Sequence, residues 1–393
     1  MVAPAKSIHA QRPLQWLLDQ GCRVTLLDSL NPYPAGRKNF RFIPDLRIRG
    51  KRYHQKLLGQ KLSHKLSQFL LAQELRWCRR FLKPDITHIH WADHERGYAC
   101  WQAGLRPIIL TVWGSDINKF MESEANPEHR LKVGELLAGV DLTLVDTPEM
   151  AEKCCGLAGR RIPMRLLPLG IDTDLFRPFP AEVSQEWRRR LTIPANAKVL
   201  LSIRAFGPNY GQDMILEAFA RAFQHFKQDA ILVFKLYNKP TPDSTSDFES
   251  AMRHRVQELG LGQAVRWLDE VEYAQIPELY AMADVIINYP LVDAFPVTFL
   301  EAAACERPVI SVRLPAYAGT FAEQHFRMVE PENIESLAAA MVRLVNEPSE
   351  RGSLLAAARR VITKEFSEAL TVKRLLATYQ EISAATSPPR EPA

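Results

Sequence analysis

Cysteine is scarce and unpatterned. The six present (Cys22, Cys78, Cys100, Cys154, Cys155 and Cys305) form no CxxC spacing and no pairing framework, so buried thiols are expected rather than disulfides or a structural zinc. Long apolar runs are also missing, because charge interrupts each of them, and no membrane-spanning helix is expected. Lys6, His9 and Arg12 break up the beginning of the chain, so no secretory signal is expected either. No GxGxxG follows a strand-like run, which argues against dinucleotide oxidoreduction. There is no short internal repeat.

What remains is material for large cores: 393 residues, 47% hydrophobic and 24% charged, suited to two domains of ordinary size in a cytoplasmic globular protein. The net charge of +5 is modest but unevenly spread. Between Arg37 and Lys65 ten Lys or Arg face a single acid, Asp45, so 37–65 is a candidate surface for an anionic partner such as membrane headgroups. A solvated face is the plain alternative. Leu58, Leu62, Leu66, Phe69 and Leu70 follow helical spacing, which predicts that a helix over 55–82 packs on its own domain.

Strand-length and helix-length apolar segments alternate, the pattern of parallel α/β sheets. Strand-like runs fall at 22–29, 86–93, 107–114, 142–147 and 164–170, and after "FRPFP" (176–180) a second series falls at 198–206, 230–238, 264–269, 284–290 and 308–315. Helical patterns lie at 8–20, 55–82, 128–138, 212–226, 247–259, 274–283 and 296–305. We expect domains at 1–180 and 181–365, a C-terminal helix at 366–385 returning towards the first domain, a disordered tail at 386–393, and a ligand cleft between the domains. Met1 to Pro4 read as the last residues of a strand, so the first strand is expected to be largely missing, with residues absent upstream.

In the second half, "LLSIRAFGPNYGQD" runs from a strand through a Gly-containing loop into a helix. It places Arg204 at the carboxyl edge of a parallel sheet, where ligands bind. A guanidinium there can grip a phosphate with two hydrogen bonds, or simply pair with a nearby acid. In "DAFPVTFLEAAACERPVI" (293–310), Pro296 suits the first turn of a helix whose open amides favour an anion. Asp293 and Glu301, eight positions apart, can accept hydroxyl donors on either side of such an anion. Alternatively, Asp293 caps the helix.

That last stretch resembles the sugar-nucleotide site of the GT-B glycosyltransferases, specifically glycosyltransferase family 4 (glycosyl transferases group 1). "SIHAQRPLQWLLDQGCRVTLLD", "HIHWAD", "TVWGSDI", "LPLGIDTDLFRP" and "LDEVEYAQIPELYAMADVIINYP" are similar to the family's other landmarks in order and spacing. The resemblance implies two Rossmann-like domains facing across a cleft. It also implies a retaining, metal-independent transfer of a sugar from a nucleotide-sugar co-substrate, with no other cofactor and no nucleic-acid partner. The DxD spacing within "IDTD" belongs to the interdomain landmark, so it is not taken as a metal site. The acceptor is expected to be a glycan or lipid-linked molecule of envelope or exopolysaccharide synthesis, with the enzyme peripheral on the membrane's inner face. Position by position, Glu301 matches the residue holding the ribose, Asp293 the acid at the donor sugar, and Arg204 the neutraliser of the diphosphate. Phe295, Pro296, Val297 and Thr298 match sugar and phosphate contacts, Asp269 to Glu272 match the nucleobase pocket, and Tyr210 stands where the family carries Lys. His90, Asp93, Gly114, Ser115 and Asp116 are the acceptor-side candidates, with a buried core histidine and a helix cap as the plain readings of His90 and Asp116. Trp113 replaces a frequent His, Glu306 a Gly, and "YNKP" and "KSIH" two glycine-rich turns. These departures keep two other readings open: a GT-B nucleotide-sugar epimerase and a non-catalytic sugar-nucleotide binder.

Overall fold

Short runs rich in Val, Ile and Leu become parallel strands here because helices cover both faces of each sheet. The computed structural model describes residues 1–3, 8–28, 38–44, 66–67, 69–121, 125–236 and 245–386. Most of the basic 37–65 segment, the tail from 387 and the "YNKP" turn lie outside them. The chain divides into two units, Met1–Leu169 with Thr371–Ala393, and Gly170–Leu370.

In the first unit the order is α1 (Ile8–Asp19), β1 (Val24–Asp28), β2 (Phe40–Pro44), α2 (69–77), β3 (Thr87–His90), α3 (Arg96–Gln102), β4 (Ile108–Thr111), α4 (Ser115–Asn118), α5 (Pro127–Gly139), β5 (Leu142–Val145), α6 (Pro148–Ala158) and β6 (Met164–Leu166). The pair β1–β2 and the row β3–β4–β5–β6 are parallel throughout. Val2 links them through single-residue parallel bridges to Leu27 and Ile89, so the expected short first strand is one bridging residue in the central position. Helix starts follow the local chemistry. The Asn126 and Thr147 side chains accept backbone N–H groups ahead of α5 and α6, each of which begins with Pro. The strand β2, inside the basic segment, has no apolar run to announce it.

The second unit contains α7 (Ala181–Arg190), β7 (Lys198–Ser202), α8 (Gln212–Ala222), β8 (Ala230–Lys235), α9 (Thr245–Glu258), β9 (Val265–Leu268), α10 (Ile276–Met282), β10 (Val285–Asn288), α11 (Val297–Ala304), β11 (Val309–Val312), α12 (Phe321–His325), β12 (Arg327–Val329), α13 (Ile334–Asn346) and α14 (Pro348–Glu365). Its six strands are parallel in the order β12-β11-β10-β7-β8-β9. Strand alternation feeds two cores: Val199, Leu201, Val233 and Ile286 pack with Tyr280 and Leu300, while Leu200, Leu232, Phe234 and Ile287 pack with Phe219 and Met341 on the other face. The last helix, α15 (Glu368–Thr386), starts in this unit and from Thr371 belongs to the first, where Leu375 lies among Leu14, Leu26 and Ile109.

Candidate active site

The strand order of the second unit reverses between β7 and β10. Successive strands run outward from β7 through β8 to β9, then the chain returns to lay β10, β11 and β12 on the opposite side. The loops leaving the carboxyl ends of β7 and β10 meet at that point, the usual ligand position of an open α/β sheet. Arg204 follows β7 and Asp293 follows β10, and the fold brings them into direct contact.

Their contact is bidentate: Arg204 Nη1 donates to Asp293 Oδ2 at 2.8 Å and Nη2 to Oδ1 at 3.2 Å. Arg204 also reaches Asn288 Oδ1 at 3.4 Å and lies over the Tyr210 ring, 5.1 Å from its centroid. Burial works against the guanidinium's charge, but Asp293 and then Tyr317 overcome it and hold its pKa above the ordinary value. Asp293 is heavily engaged, since it also accepts from the Tyr317 hydroxyl at 2.8 Å and from its neighbour Ala294 N–H at 3.0 Å. Here the plain sequence reading, an Arg paired with a nearby acid, describes the geometry. Asp293 does not cap α11: the cap position falls to Pro296, one residue outside the helix rather than in its first turn.

Tyr210 sits in a single turn (Pro208–Tyr210) that Gly211 closes at φ +63°, with its hypothetical Cβ only 2.2 Å from the Tyr289 carbonyl oxygen. Only glycine fits that approach. Phe295 turns into the core, ringed by Phe299, Phe321 and Phe366, so its backbone is what remains for a ligand. Val297 and Thr298 open α11, where N–H groups lack helical partners.

Glu301 lies one turn further along α11, 8% exposed, accepting from the buried Tyr280 hydroxyl at 2.7 Å. Burial, then the charge of Glu301, raises the Tyr280 pKa well above normal, so this phenol stays a donor. Sequence reasoning passed over Tyr280, Asn288, Tyr317 and Lys235. Of these only Lys235 had a visible signal, a charge ending an otherwise apolar strand.

In the first unit the candidates gather at the carboxyl ends of β3 and β4, but several are already engaged. Asp93 accepts N–H groups of Glu95, Arg96 and Gly97 at the start of α3, so it shapes a turn. Asp116 is fully buried and joins two loops, accepting from Ala92 N–H at 2.8 Å and Trp113 N–H at 2.9 Å. It holds in place Trp91 at φ +98° and Gly114 at φ +102°, conformations that cost a non-glycine residue of order 1–3 kcal/mol. His90 is 3% exposed, 4.0 Å from the His88 ring and stacked on Trp113 at 5.8 Å. Ser115 is exposed.

Burial pushes the Asp116 carboxyl up to about 6, against the pull of its backbone donors. A carboxyl raised in the folded state stabilises most when protonated in both states, below its unfolded value of 3.8, and that contribution fades as pH rises through 6. Two pKa units correspond to about 3 kcal/mol. We therefore expect the melting temperature of the wild type minus that of Asp116→Asn to fall between pH 4 and pH 6 and to level off above pH 7. A pH-independent difference would contradict the shift.

Among the described residues no group of three or more His, Cys, Asp or Glu is placed to hold a metal ion, and no helix is long and apolar enough to cross a membrane. Residues 183–361 match the family model "Glycosyl transferases group 1", and residues 1–147 match "Glycosyl transferase 4-like". Among curated proteins, the D-inositol 3-phosphate glycosyltransferase of Kineococcus radiotolerans is 29% identical over 316 residues, covering 75% of this chain and 71% of that one. The protein of the same name from Corynebacterium glutamicum is 23% identical, covering 68% of this chain and 65% of its own length. A GDP-mannose-dependent monoacylated phosphatidylinositol monomannoside mannosyltransferase of C. glutamicum is 22% identical, covering 80% and 85%. Among solved structures, the sucrose-phosphate synthase of Thermosynechococcus elongatus superposes with a TM-score of 0.79 at 17% identity, over 98% and 99% of the two chains. An Anabaena protein crystallised with UDP and glucose gives 0.73 at 14% identity, over 97% and 99%.

Proposed function

This chain belongs to the GT-B glycosyltransferases of the group 1 family, and from that premise we propose that it is a retaining, metal-independent transferase taking a sugar from a nucleotide-sugar bound in the second unit. The observation that carries the reading is the partly buried Arg204–Asp293 pair at the reversal of strand order, beside the start of α11. The arriving diphosphate takes over the Arg204 guanidinium, because a phosphate accepts its two parallel N–H bonds as a carboxylate does. Asp293 is thereby released to accept from donor-sugar hydroxyls. As the anomeric C–O bond to phosphate breaks, negative charge collects on the leaving group, where Arg204 and the α11 N–H groups stabilise it more than they do the intact donor. The acceptor oxygen bonds to the anomeric carbon on the face the phosphate leaves, and its proton passes to the departing phosphate. Glu301 holds the ribose. Tyr210, in place of a lysine, contributes a hydroxyl rather than a charge. His90, Gly114 and Ser115 remain the acceptor contacts of this reading.

The names of the relatives favour a phosphorylated polyol or lipid-linked acceptor of cell-envelope synthesis. The test is a matrix of UDP-, GDP-, dTDP- and ADP-sugars against such acceptors, with NMR of the product. Nucleoside diphosphate released only when acceptor is present, an anomeric configuration kept, and a rate unchanged by EDTA are expected. Donor turned over without acceptor would replace this reading by the epimerase, and tight nucleotide affinity with no turnover by the non-catalytic binder.

Peripheral membrane binding forms part of the proposal. The sequence placed Phe69 on the packed face of its helix, but Leu71 and Leu75 take that face, and Phe69 is 58% exposed. Trp77 and Phe81 are 45% and 62% exposed, with Arg76, Arg79 and Arg80 exposed beside them. Aromatics with flanking arginines suit an anionic lipid interface. Flotation with phosphatidylglycerol liposomes is expected at low salt, to weaken about ten-fold in Trp77→Ala/Phe81→Ala. Equal flotation of both proteins would rule this face out.

A further inference from the structure

Each oxygen of Asp293 meets Arg204 and a further donor. Arg204 Nη2 and the Ala294 N–H reach Oδ1 at 3.2 and 3.0 Å, and Arg204 Nη1 and the Tyr317 hydroxyl both reach Oδ2 at 2.8 Å. The hydroxyl comes from the single turn Pro315–Tyr317 that follows β11. Its ring is buried against Phe299 of α11, 4.9 Å between centroids. Buried Asn288, the last residue of β10, fixes which way the hydroxyl proton points. Asn288 Nδ2 donates to the Tyr317 oxygen at 3.3 Å and to Ser311 Oγ at 3.2 Å, while Asn288 Oδ1 accepts from Arg204 Nη1 at 3.4 Å. A phenol oxygen that accepts from an amide turns its own O–H to the carboxylate. Burial, then the charge of Asp293, raises the Tyr317 pKa well above normal, so this phenol remains a donor. Arg204, Asn288, Tyr317 and Asp293 thus close a ring of side-chain hydrogen bonds in which Asp293 is the final acceptor.

We propose that Tyr317 is a positioning residue, taking over the Asp293 carboxylate when the donor diphosphate claims Arg204. The assignment rests on the donor-site reading above and deepens it. The Asp293 side chain is only 12% exposed, so losing both guanidinium bonds carries a desolvation penalty that opposes nucleotide binding. Tyr317 on Oδ2 and the Ala294 N–H on Oδ1 stay behind when Arg204 leaves, and together they hold the plane of the carboxylate. The two positions vacated by the guanidinium, one on each oxygen, are those that donor-sugar hydroxyls fill. A hydrogen bond to an ionised acceptor is stronger than a neutral one, and no cation then competes for the same oxygen. Tyr317 therefore grips Asp293 more tightly in the complex than in the free protein, which lowers the cost of the exchange.

The test is titration calorimetry of UDP, GDP, UDP-glucose and GDP-mannose against the wild type, Tyr317→Phe, Asp293→Asn and the double variant. Phenylalanine removes only the hydroxyl, and Asn288 keeps Ser311 as an acceptor. Asparagine has no charge with which to hold Arg204, and it accepts from Tyr317 as a neutral group. Whichever of the four nucleotides bind the wild type are expected to bind Tyr317→Phe about ten-fold more weakly. That penalty is expected to shrink to within about two-fold when Asp293→Asn is already present, with melting curves showing all variants folded. A hydroxyl that merely braces its turn would cost the same in both backgrounds, and that result would overturn the assignment, as would unchanged affinity in Tyr317→Phe. If none of the four bound the wild type at all, the donor-site reading would fall, and this one with it.

Discussion

Arg204→Met is expected to lower the rate of sugar transfer about a thousand-fold, the largest effect of any single change in the site. Methionine keeps much of the length of the side chain and removes only the charge and its donors. The difficulty is that Arg204 also holds Asp293, with side chains 16% and 12% exposed, so the substitution strands a mostly buried carboxylate. Breaking such a pair costs about 3–5 kcal/mol of stability, and a poorly folded variant would be inactive for the wrong reason. The double variant Arg204→Met/Asp293→Asn separates the two causes. Asparagine still accepts from the Tyr317 hydroxyl that Asp293 binds, and it carries no charge in need of a partner. The double variant should therefore melt close to the wild type while remaining slow, if the guanidinium serves the leaving diphosphate. Recovery of activity together with stability would show that the Arg204 charge serves folding and not the leaving diphosphate, and the mechanism would fail.

How much of this was legible in sequence depends on what each residue answers to. The alternation of strands and helices was readable because both sheets are parallel and covered on both faces, so their strands are unbroken apolar runs such as "VLLS" and "VIIN". The short strand β12 and the charged strand β2 were not, because neighbouring strands rather than apolar content define them. Arg204, Asp293 and Glu301 stood out through the resemblance of their motifs, since two acids eight positions apart carry little by themselves. Their pairing was open, since the contact of Arg204 with Asp293 depends on β7 and β10 lying side by side after a reversal that local sequence does not encode. The supporting hydroxyls of Tyr280 and Tyr317 were hidden for the same reason, as each arrives from a different helix or turn. Asp116 shows the converse. A carboxylate in a candidate loop looked ready for a ligand, yet it is consumed by two backbone N–H groups, one of them from a loop 24 positions away.

Glu301 supplies the second large effect. Glu301→Gln is expected to weaken nucleoside diphosphate binding about ten- to hundred-fold, the range of a hydrogen bond to a charged group. Glutamine is the better substitution because its carbonyl can still accept from Tyr280, whereas alanine would leave a buried phenol without its 2.7 Å partner and confuse affinity with stability. The substrate can be altered in the same experiment. If one carboxylate oxygen accepts from Tyr280 and the other from the ribose, removing a ribose hydroxyl and removing the charge delete the same bond. The 2′-deoxy or 3′-deoxy nucleotide should then bind the wild type weakly, and Glu301→Gln no more weakly than its parent nucleotide does. An equal penalty for the deoxy nucleotide in both proteins would mean that Glu301 never touches the sugar. Its charge would then serve Lys235, which it helps to keep protonated from the same face of the sheet. The two roles are not exclusive, since a carboxylate has two oxygens to accept with while its charge acts on Lys235 through space.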